Sequence, residues 1–215
     1  MDSRQVAVGP RALPGDLEVP DGAAGLVLFA HGSGSSRLSA RNRGVAAELR
    51  RHRLGTLLFD LLDEAEAAQR SHVFDIDLLA SRVVQALDWV ALQPLLGGMP
   101  VGLFGASTGA AAALAAAVSC PEQVRAVVSR GGRPDLATEV LALVRAPTLL
   151  IVGGEDHDVL ELNRQALRQL ACRKRLDIVP GATHLFEEPG ALSRVAGLAA
   201  GWFEDHLVDA SPPGA

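Results

Sequence analysis

The sequence predicts an α/β fold, with a mostly parallel sheet of about eight strands flanked by helices on both faces. Short apolar runs alternate along the chain with amphipathic stretches, which is typical of repeated β-α units. The apolar run 101–104 passes within a few residues into the alanine-rich stretch 110–118, as a strand followed by a helix would. With 215 residues, of which 48% are hydrophobic and 21% charged, the chain can bury a large core.

The first half of the chain begins with two short edge strands, because Pro10 and the Pro14-Gly15 turn interrupt its apolar residues. The strongly apolar run 25–30 predicts a central strand, and apolar residues at helical spacing predict a long helix before residue 93. The predicted elements here are strands 6–8, 16–19, 25–30 and 56–59, and helices 39–52 and 77–92.

The second half continues the same alternation, with short apolar runs as strands and longer amphipathic stretches as helices. We predict one domain over residues 1–208 and a disordered tail over 209–215, where Ser, Pro and Gly dominate. The predicted elements are strands 101–104, 123–129, 147–152 and 175–179, and helices after Ser107 and at 135–144, 159–171 and 191–207.

The charge and the cysteines limit the partners. A net charge of −5 argues against a nucleic-acid or anionic-membrane surface. Cys120 and Cys172 are the only cysteines and lack metal-like spacing, so we expect structural thiols in a reducing compartment. The first residues lack the features of a signal peptide, and no pair of histidines has zinc-ligand spacing. We therefore expect a cytoplasmic protein without metal, cofactor, nucleic-acid or membrane partner, of undetermined oligomeric state.

The segment Gly105-Ala106-Ser107-Thr108-Gly109 lies at the predicted strand-to-helix junction. A G-x-S-x-G pattern there is typical of a nucleophile elbow, in which a sharp turn presents the serine hydroxyl at the sheet edge. The alternative is a glycine loop that binds a dinucleotide. That fingerprint needs a third glycine, where Ala112 stands, and usually belongs to the first β-α unit.

Four predicted strands end in unusual loops, and ligands of open α/β sheets bind beyond the carboxyl ends of the strands. Along the chain these loops place a serine first, then acidic residues, then a histidine, which is the order of α/β-hydrolases. The loops are His31-Gly32-Ser33-Gly34-Ser35-Ser36, the elbow around Ser107, Gly153-Gly154-Glu155-Asp156-His157-Asp158, and Pro180-Gly181-Ala182-Thr183-His184.

On these motifs the chain resembles small α/β-hydrolases of the dienelactone-hydrolase-like superfamily, from about residue 25 to the end of the last helix. The resemblance aligns Asp156 with the family's catalytic acid in its G-x-x-D-x-x-V loop, and Gly181-Ala182-Thr183-His184 with its histidine loop. Ser107 stands where true dienelactone hydrolases carry a cysteine, and this difference argues against that specific activity.

The chemistry suggests a role for each residue. Ser107 would attack, His184 would accept its proton, and Asp156 would hold the imidazole tautomer. Backbone N–H groups of Thr108 and Ser33 would bind the oxyanion. Glu155 and Asp158 are alternatives to Asp156 as the catalytic acid. His184 could instead be an ordinary loop histidine. We expect His31 to brace its loop, because it precedes the serine in the chain.

Several arginines lie near the predicted site and could either be solvated or reach the pocket mouth and favour anionic acyl groups. The connection 130–146 is too short for the helical cap of many α/β-hydrolases, so we expect an open, lidless site for small or short-chain substrates. The arginines are Arg37, Arg41, Arg43, Arg130 and Arg133.

Together these features predict a cofactor-independent serine hydrolase, a carboxylesterase that acts on a small-molecule ester through an acyl-enzyme. Acyl transfer to alcohols and amide or peptide cleavage remain alternatives with the same three residues. A non-catalytic binding protein with the α/β-hydrolase fold is the alternative from another class.

Overall fold

Eight strands form one sheet in residues 2–208, the part of the chain that the computed structural model describes. The predicted disordered tail, 209–215, lies outside the described residues. The strands are β1 (Asp2–Val8), β2 (Leu13–Val19), β3 (Gly25–Ala30), β4 (Leu54–Phe59), β5 (Val101–Ala106), β6 (Val124–Arg130), β7 (Thr148–Gly153) and β8 (Lys174–Val179).

The sheet is mostly parallel, and its order is β1-β2-β4-β3-β5-β6-β7-β8. Only the pairs β1–β2 and β2–β4 are antiparallel among the described strands, and all pairs from β4 to β8 are parallel. This confirms the predicted α/β fold with about eight strands. The two leading strands are each seven residues long because they pair with one another as a hairpin. The predictions of a turn at Pro14-Gly15 and of two edge strands are wrong, because these two residues pair within β2, and β2 lies between β1 and β4.

The predicted helices form, with shifts of a few residues at their ends. The structure adds two four-residue helices between β4 and the next long helix, where the sequence predicts no element. The α-helices are α1 (Ala40–Arg51), α2 (Glu64–Ala67), α3 (Arg70–Val73), α4 (Ile76–Ala91), α5 (Thr108–Ser119), α6 (His157–Gln169) and α7 (Ala191–Phe203).

Two helical segments differ from the predictions in their winding. The segment predicted as a helix at 135–144 is a 3₁₀-helix over Pro134–Leu143, interrupted at Ala137, whose φ of −122° is not helical. Helix α7 continues into one π-helical turn, Glu204–Val208. Residues 131–147, all of them described, contain only this 3₁₀ segment between β6 and β7, so no cap is inserted there.

The helices cover both faces of the sheet. Helices α1 and α7 bury apolar side chains in one core, whereas α4, α5 and α6 contribute to the core on the opposite face. The alanines of α5 are almost all buried, and their small side chains let this helix pack closely between β5 and α4. Within residues 2–208, no helix has the length and apolar character needed to cross a lipid bilayer.

Candidate active site

Ser107 lies in a strained turn between β5 and α5. Its φ of 51° and ψ of −123° are outside the regions that L-residues favour, which costs of order 1–3 kcal/mol and is typical of functional turns. The turn is held by two backbone bonds, from Ser107 N–H to Arg130 O at 3.3 Å and from Arg133 N–H to Ser107 O at 3.1 Å. The geometry is that of a nucleophile elbow.

The two glycines of the elbow allow a close approach of backbone to backbone. A methyl group on Gly109 would overlap the carbonyl oxygen of Ala30 on β3, and one on Gly105 would overlap Cα of Ala110 in the first turn of α5. Any other residue at these two positions would therefore push α5 away from the sheet and displace Ser107.

His184 and Asp156 are in contact at the same edge of the sheet. Nδ1 of His184 donates to Oδ2 of Asp156 at 2.6 Å, since a carboxylate can only accept. The carboxylate is mostly buried, with 13% of its side chain exposed, and the imidazole is 38% exposed. Of the three acidic residues in this loop, Asp156 contacts His184; Glu155 and Asp158 are exposed.

The histidine loop is held by neighbours that position His184. Oε1 of Glu188 accepts from the hydroxyl of Thr183 at 2.6 Å and from its backbone N–H at 3.1 Å. These bonds favour the ionised form and lower the pKa of Glu188. The backbone N–H of Glu155 donates to Ala182 O at 3.0 Å, which joins the acid loop to the histidine loop. Sequence reasoning missed Glu188, although it stands four residues after His184.

Ser107 and His184 each lie beside the end of β6. A methyl group placed on Gly131 would lie 3.5 Å from Cε1 of His184, and the residue before it, Arg130, accepts the N–H of Ser107. The hydrogen bonds of residues 2–208 do not include one between the two side chains. Such bonds are often long in unliganded enzymes and tighten when the substrate is bound.

The two residues predicted to supply oxyanion donors are hydrogen-bonded to each other. The backbone N–H of Ser33 donates to Oγ1 of Thr108 at 2.9 Å. Thr108 is 3% exposed and begins α5, so its own N–H lies at the amino end of that helix. The glycine loop also touches the elbow directly, because a methyl group on Gly32 would lie 2.9 Å from Cβ of Ser107.

His31 braces the glycine loop, as expected. Its Nε2 accepts the backbone N–H of Leu61 at 3.0 Å, and its Nδ1 lies 3.0 Å from Gly32 O. The ring is buried, and burial lowers the pKa of His31. It therefore holds the loop after β3 against the loop after β4 in its neutral form.

A cavity of about 490 Å³ opens beside the elbow. Ser33 and Thr108 line it, whereas Ser107 and His184 do not. One wall comes from the two short helices α2 and α3, which the sequence analysis missed because four-residue helices show no periodicity. The other lining residues are Pro14, His31, Gly32, Gly34, Ser35, Ser36, Asp60, Leu62, Asp63, Glu64, Ala67, Val73 and Leu79.

The described residues contain no cluster of three or more His, Cys, Asp or Glu side chains that could hold a metal ion. The carboxylates that face the cavity from the loop after β4 are instead engaged with arginines. Asp60 bonds Arg37 at 2.6 Å, and Asp63 bonds Arg11 at 2.6 Å.

Comparisons with known proteins show the family and the fold of this chain. A model of the dienelactone hydrolase family matches residues 58–204. A solved dienelactone hydrolase from Anabaena variabilis is 56% identical, with a TM-score of 0.91, and the match covers 96% of this chain and 97% of that one. Est1E from Butyrivibrio proteoclasticus, at 13% identity and a TM-score of 0.80 over 95% of this chain and 98% of its own, shares the fold.

The curated relatives are longer proteins. Two strains of Mycobacterium tuberculosis have a protein named as a candidate phosphoribosyl transferase that is 57% identical over 210 residues. The match covers 98% of this chain but only 47% of the mycobacterial protein, so the chain spans about half the length of these relatives.

Proposed function

We propose that this chain, which belongs to the dienelactone hydrolase family, is a serine carboxylesterase that cleaves small carboxylic esters through an acyl-enzyme. Membership of this family assigns the chain to the hydrolases. The observation that carries the finer proposal is the 2.6 Å bond between His184 and Asp156 at the sheet edge where Ser107 has its strained backbone.

The proposed reaction begins with proton transfer from Ser107 to His184. Because Nδ1 of His184 donates to Asp156, Nε2 is left to accept the proton of the Ser107 hydroxyl as its oxygen attacks the ester carbonyl. The buried carboxylate of Asp156 then stabilises the imidazolium. His184 returns the proton to the leaving alcohol, and water repeats the sequence on the acyl-enzyme.

The oxyanion of the tetrahedral intermediate would be bound at the start of α5. Thr108 offers its backbone N–H there, and the same residue lines the adjacent cavity. Since Oγ1 of Thr108 already accepts from Ser33, the hydroxyl proton is free to donate, and the Ser33 bond strengthens that donor by polarising it. In this scheme Ser33 supports the oxyanion through Thr108.

The cavity suits a small substrate. Its volume of about 490 Å³ falls in the ordinary range for small-molecule sites. The absence of a cap between β6 and β7, over residues that are all described, leaves little surface to enclose a long acyl chain. A series of p-nitrophenyl esters of increasing length tests this: kcat/KM should fall as the acyl chain outgrows the cavity.

Two other functions are less well supported. Acyl transfer or amide cleavage would use the same three residues, and no contact in the site favours either. The phosphoribosyl transferase name belongs to proteins about twice as long. In the shared half, the elbow and the His184–Asp156 pair favour acyl chemistry.

Labelling with a fluorophosphonate separates an enzyme from a binding protein. Wild-type protein should be labelled, and Ser107→Ala should not. Ser119→Ala is a matched control, because Ser119 lies at the exposed end of the same helix and bonds only Ala115 O. If folded wild-type protein takes no label, the proposed function is wrong.

A further inference from the structure

Residues 131–133, which directly follow β6, lie between the elbow and the histidine loop, and we call them the support segment. At one end of the segment, the backbone N–H of Arg133 donates to Ser107 O at 3.1 Å. At the other end, a methyl group on Gly131 would lie 3.3 Å from the backbone oxygen of His184. The position of the support segment therefore affects how Ser107 lies relative to His184.

One buried side chain of α6 holds the support segment. Asn163 is fully buried, and its Nδ2 donates to Gly132 O at 2.9 Å and to Val159 O, one turn earlier in the same helix, at 2.8 Å. Among residues 2–208, no other side chain hydrogen-bonds to the backbone of the support segment. Because α6 begins directly after Asp156, this bond joins the helix of the candidate acid to the residues that hold Ser107.

Packing alone would favour an apolar residue at position 163. The other buried residues of α6 are Val159, Leu160 and Ala166, all of them apolar. Asparagine is a weak helix former, and Oδ1 of Asn163 is buried with no hydrogen-bond partner in residues 2–208. The donor to Gly132 O is what asparagine provides here and an apolar side chain could not.

The support segment is also restrained from the side of the elbow helix. A methyl group on Gly132 would overlap Oγ of Ser129 and Cβ of Ala110, in the first turn of α5. This close packing limits movement of the segment towards α5, and the bond from Asn163 limits its movement away from α6. Loss of that bond would free the segment in one direction.

We propose that Asn163 is a positioning residue, which holds Ser107 at the correct distance from His184 through the support segment. Asn163 does not line the cavity beside the elbow, so its loss should slow the reaction without weakening substrate binding. This inference rests on the proposed function for the reaction itself. The restraint of the support segment by Asn163 does not depend on that function.

Steady-state kinetics of two variants test the proposal. Asn163→Leu keeps a side chain of similar size without a donor, whereas Asn163→Ser can still donate to Val159 O but is too short to reach Gly132 O. For p-nitrophenyl acetate and butyrate alike, kcat should fall roughly 10- to 100-fold in both variants, as expected for a displacement of about 1 Å, with little change in KM. Asn163→Gln keeps the donor and should recover part of the lost kcat.

Thr148→Val separates positioning from a general loss of stability. Thr148 is fully buried at the start of β7, at the end of that strand away from the site, and its hydroxyl donates to Ala146 O at 2.9 Å. Like Asn163→Leu, this change removes a buried bond from a side chain to the backbone, so both variants should have a lower Tm. Thr148→Val should nevertheless keep kcat within a few-fold of wild type.

Amide hydrogen exchange gives a readout that does not need turnover. In both Asn163 variants, the amides of Ser107 and Arg133 should exchange about tenfold faster than in wild type. The amide of Val127, which donates to Pro147 O near the start of β6, should keep its wild-type rate. Wild-type kcat in both variants, or unchanged exchange at Arg133, would overturn the inference. Absent fluorophosphonate labelling of the wild type, with faster exchange in the variants, would overturn only the proposed function.

Discussion

The backbone N–H of Ser33 donates to Oγ1 of Thr108 at 2.9 Å, and this bond links the glycine loop to the residue that follows the candidate nucleophile. The N–H of Ser33, predicted as an oxyanion donor, is thereby engaged with a hydroxyl oxygen. The hydroxyl keeps its own proton, so Thr108 can offer two donors, N–H and O–H, from the start of α5.

Replacing Thr108 tests whether its hydroxyl is an oxyanion donor. Thr108→Val keeps the shape of the side chain and removes the donor, so kcat for p-nitrophenyl acetate should fall about 10²-fold with a smaller change in KM. Thr108→Ser should retain most of the activity. Thr138→Val is the control, since Thr138 bonds Asp135 O away from the elbow. If kcat of Thr108→Val equals or exceeds that of the wild type, Ser33 donates directly and the hydroxyl has no such role.

Asp156 and Asp158 allow a matched test of the acid. Asp156→Asn should lower kcat about 10⁴-fold, because the amide can donate to Nδ1 and so stabilise the wrong tautomer of His184. Asp158→Asn changes an exposed carboxylate in the same loop and should leave kcat within a few-fold of wild type. Equal losses in the two variants would contradict the assignment of Asp156. Circular dichroism would show that both variants are folded.

The sequence predicted the sheet and the order of the candidate residues because both depend on local patterns of residues along the chain. Apolar runs mark the strands, and the loops after four of them carry Ser33, Ser107, Asp156 and His184 at one edge. The short helices α2 and α3 were not predicted, because a single turn shows no helical periodicity in the sequence. The capping box of Asp63 and Glu66 at the start of α2 is one such local device.

The pairing of the arginines could not be predicted, because it depends on contacts between distant segments. Asp16 on β2 and Asp60 after β4 neutralise arginines of the loop and helix that follow β3. No carboxylate among residues 2–208 reaches Arg130. Similarly, the sequence indicated Ser33 and Thr108 as separate donors, but the bond between them requires the close approach of β3 and β5 in the folded sheet.

Two glycine substitutions of the same chemistry should have opposite effects on stability. Gly109→Ala forces a methyl group against Ala30 O, so we expect a loss of about 1–3 kcal/mol in the free energy of unfolding, and loss of activity as Ser107 shifts. Gly197→Ala, in α7 with nothing within 4 Å of the added methyl, should gain about 0.5–1 kcal/mol. Urea unfolding measures both. A neutral Gly109→Ala would contradict the close approach of α5 to β3.

His31 should make stability depend on pH. Burial lowers the pKa of His31 below its ordinary value of 6.5. Below pH 6.5, His31 therefore binds a proton in the unfolded chain but stays neutral in the folded chain. Stability should therefore be constant above about pH 6.5 and fall below it by up to about 1.4 kcal/mol per pH unit, until the folded pKa is reached.

The matched variants are His31→Gln, which removes this titration, and His157→Gln, which changes a histidine that is 76% exposed. Urea unfolding at pH 7.5 and 5.5 should give a smaller loss of stability for His31→Gln than for wild type, whereas His157→Gln should follow the wild type. Equal losses in wild type and His31→Gln would show that His31 is not held neutral. We expect His31 to stay neutral because its Nε2 accepts the N–H of Leu61. A proton on Nε2 would place two hydrogen-bond donors against each other.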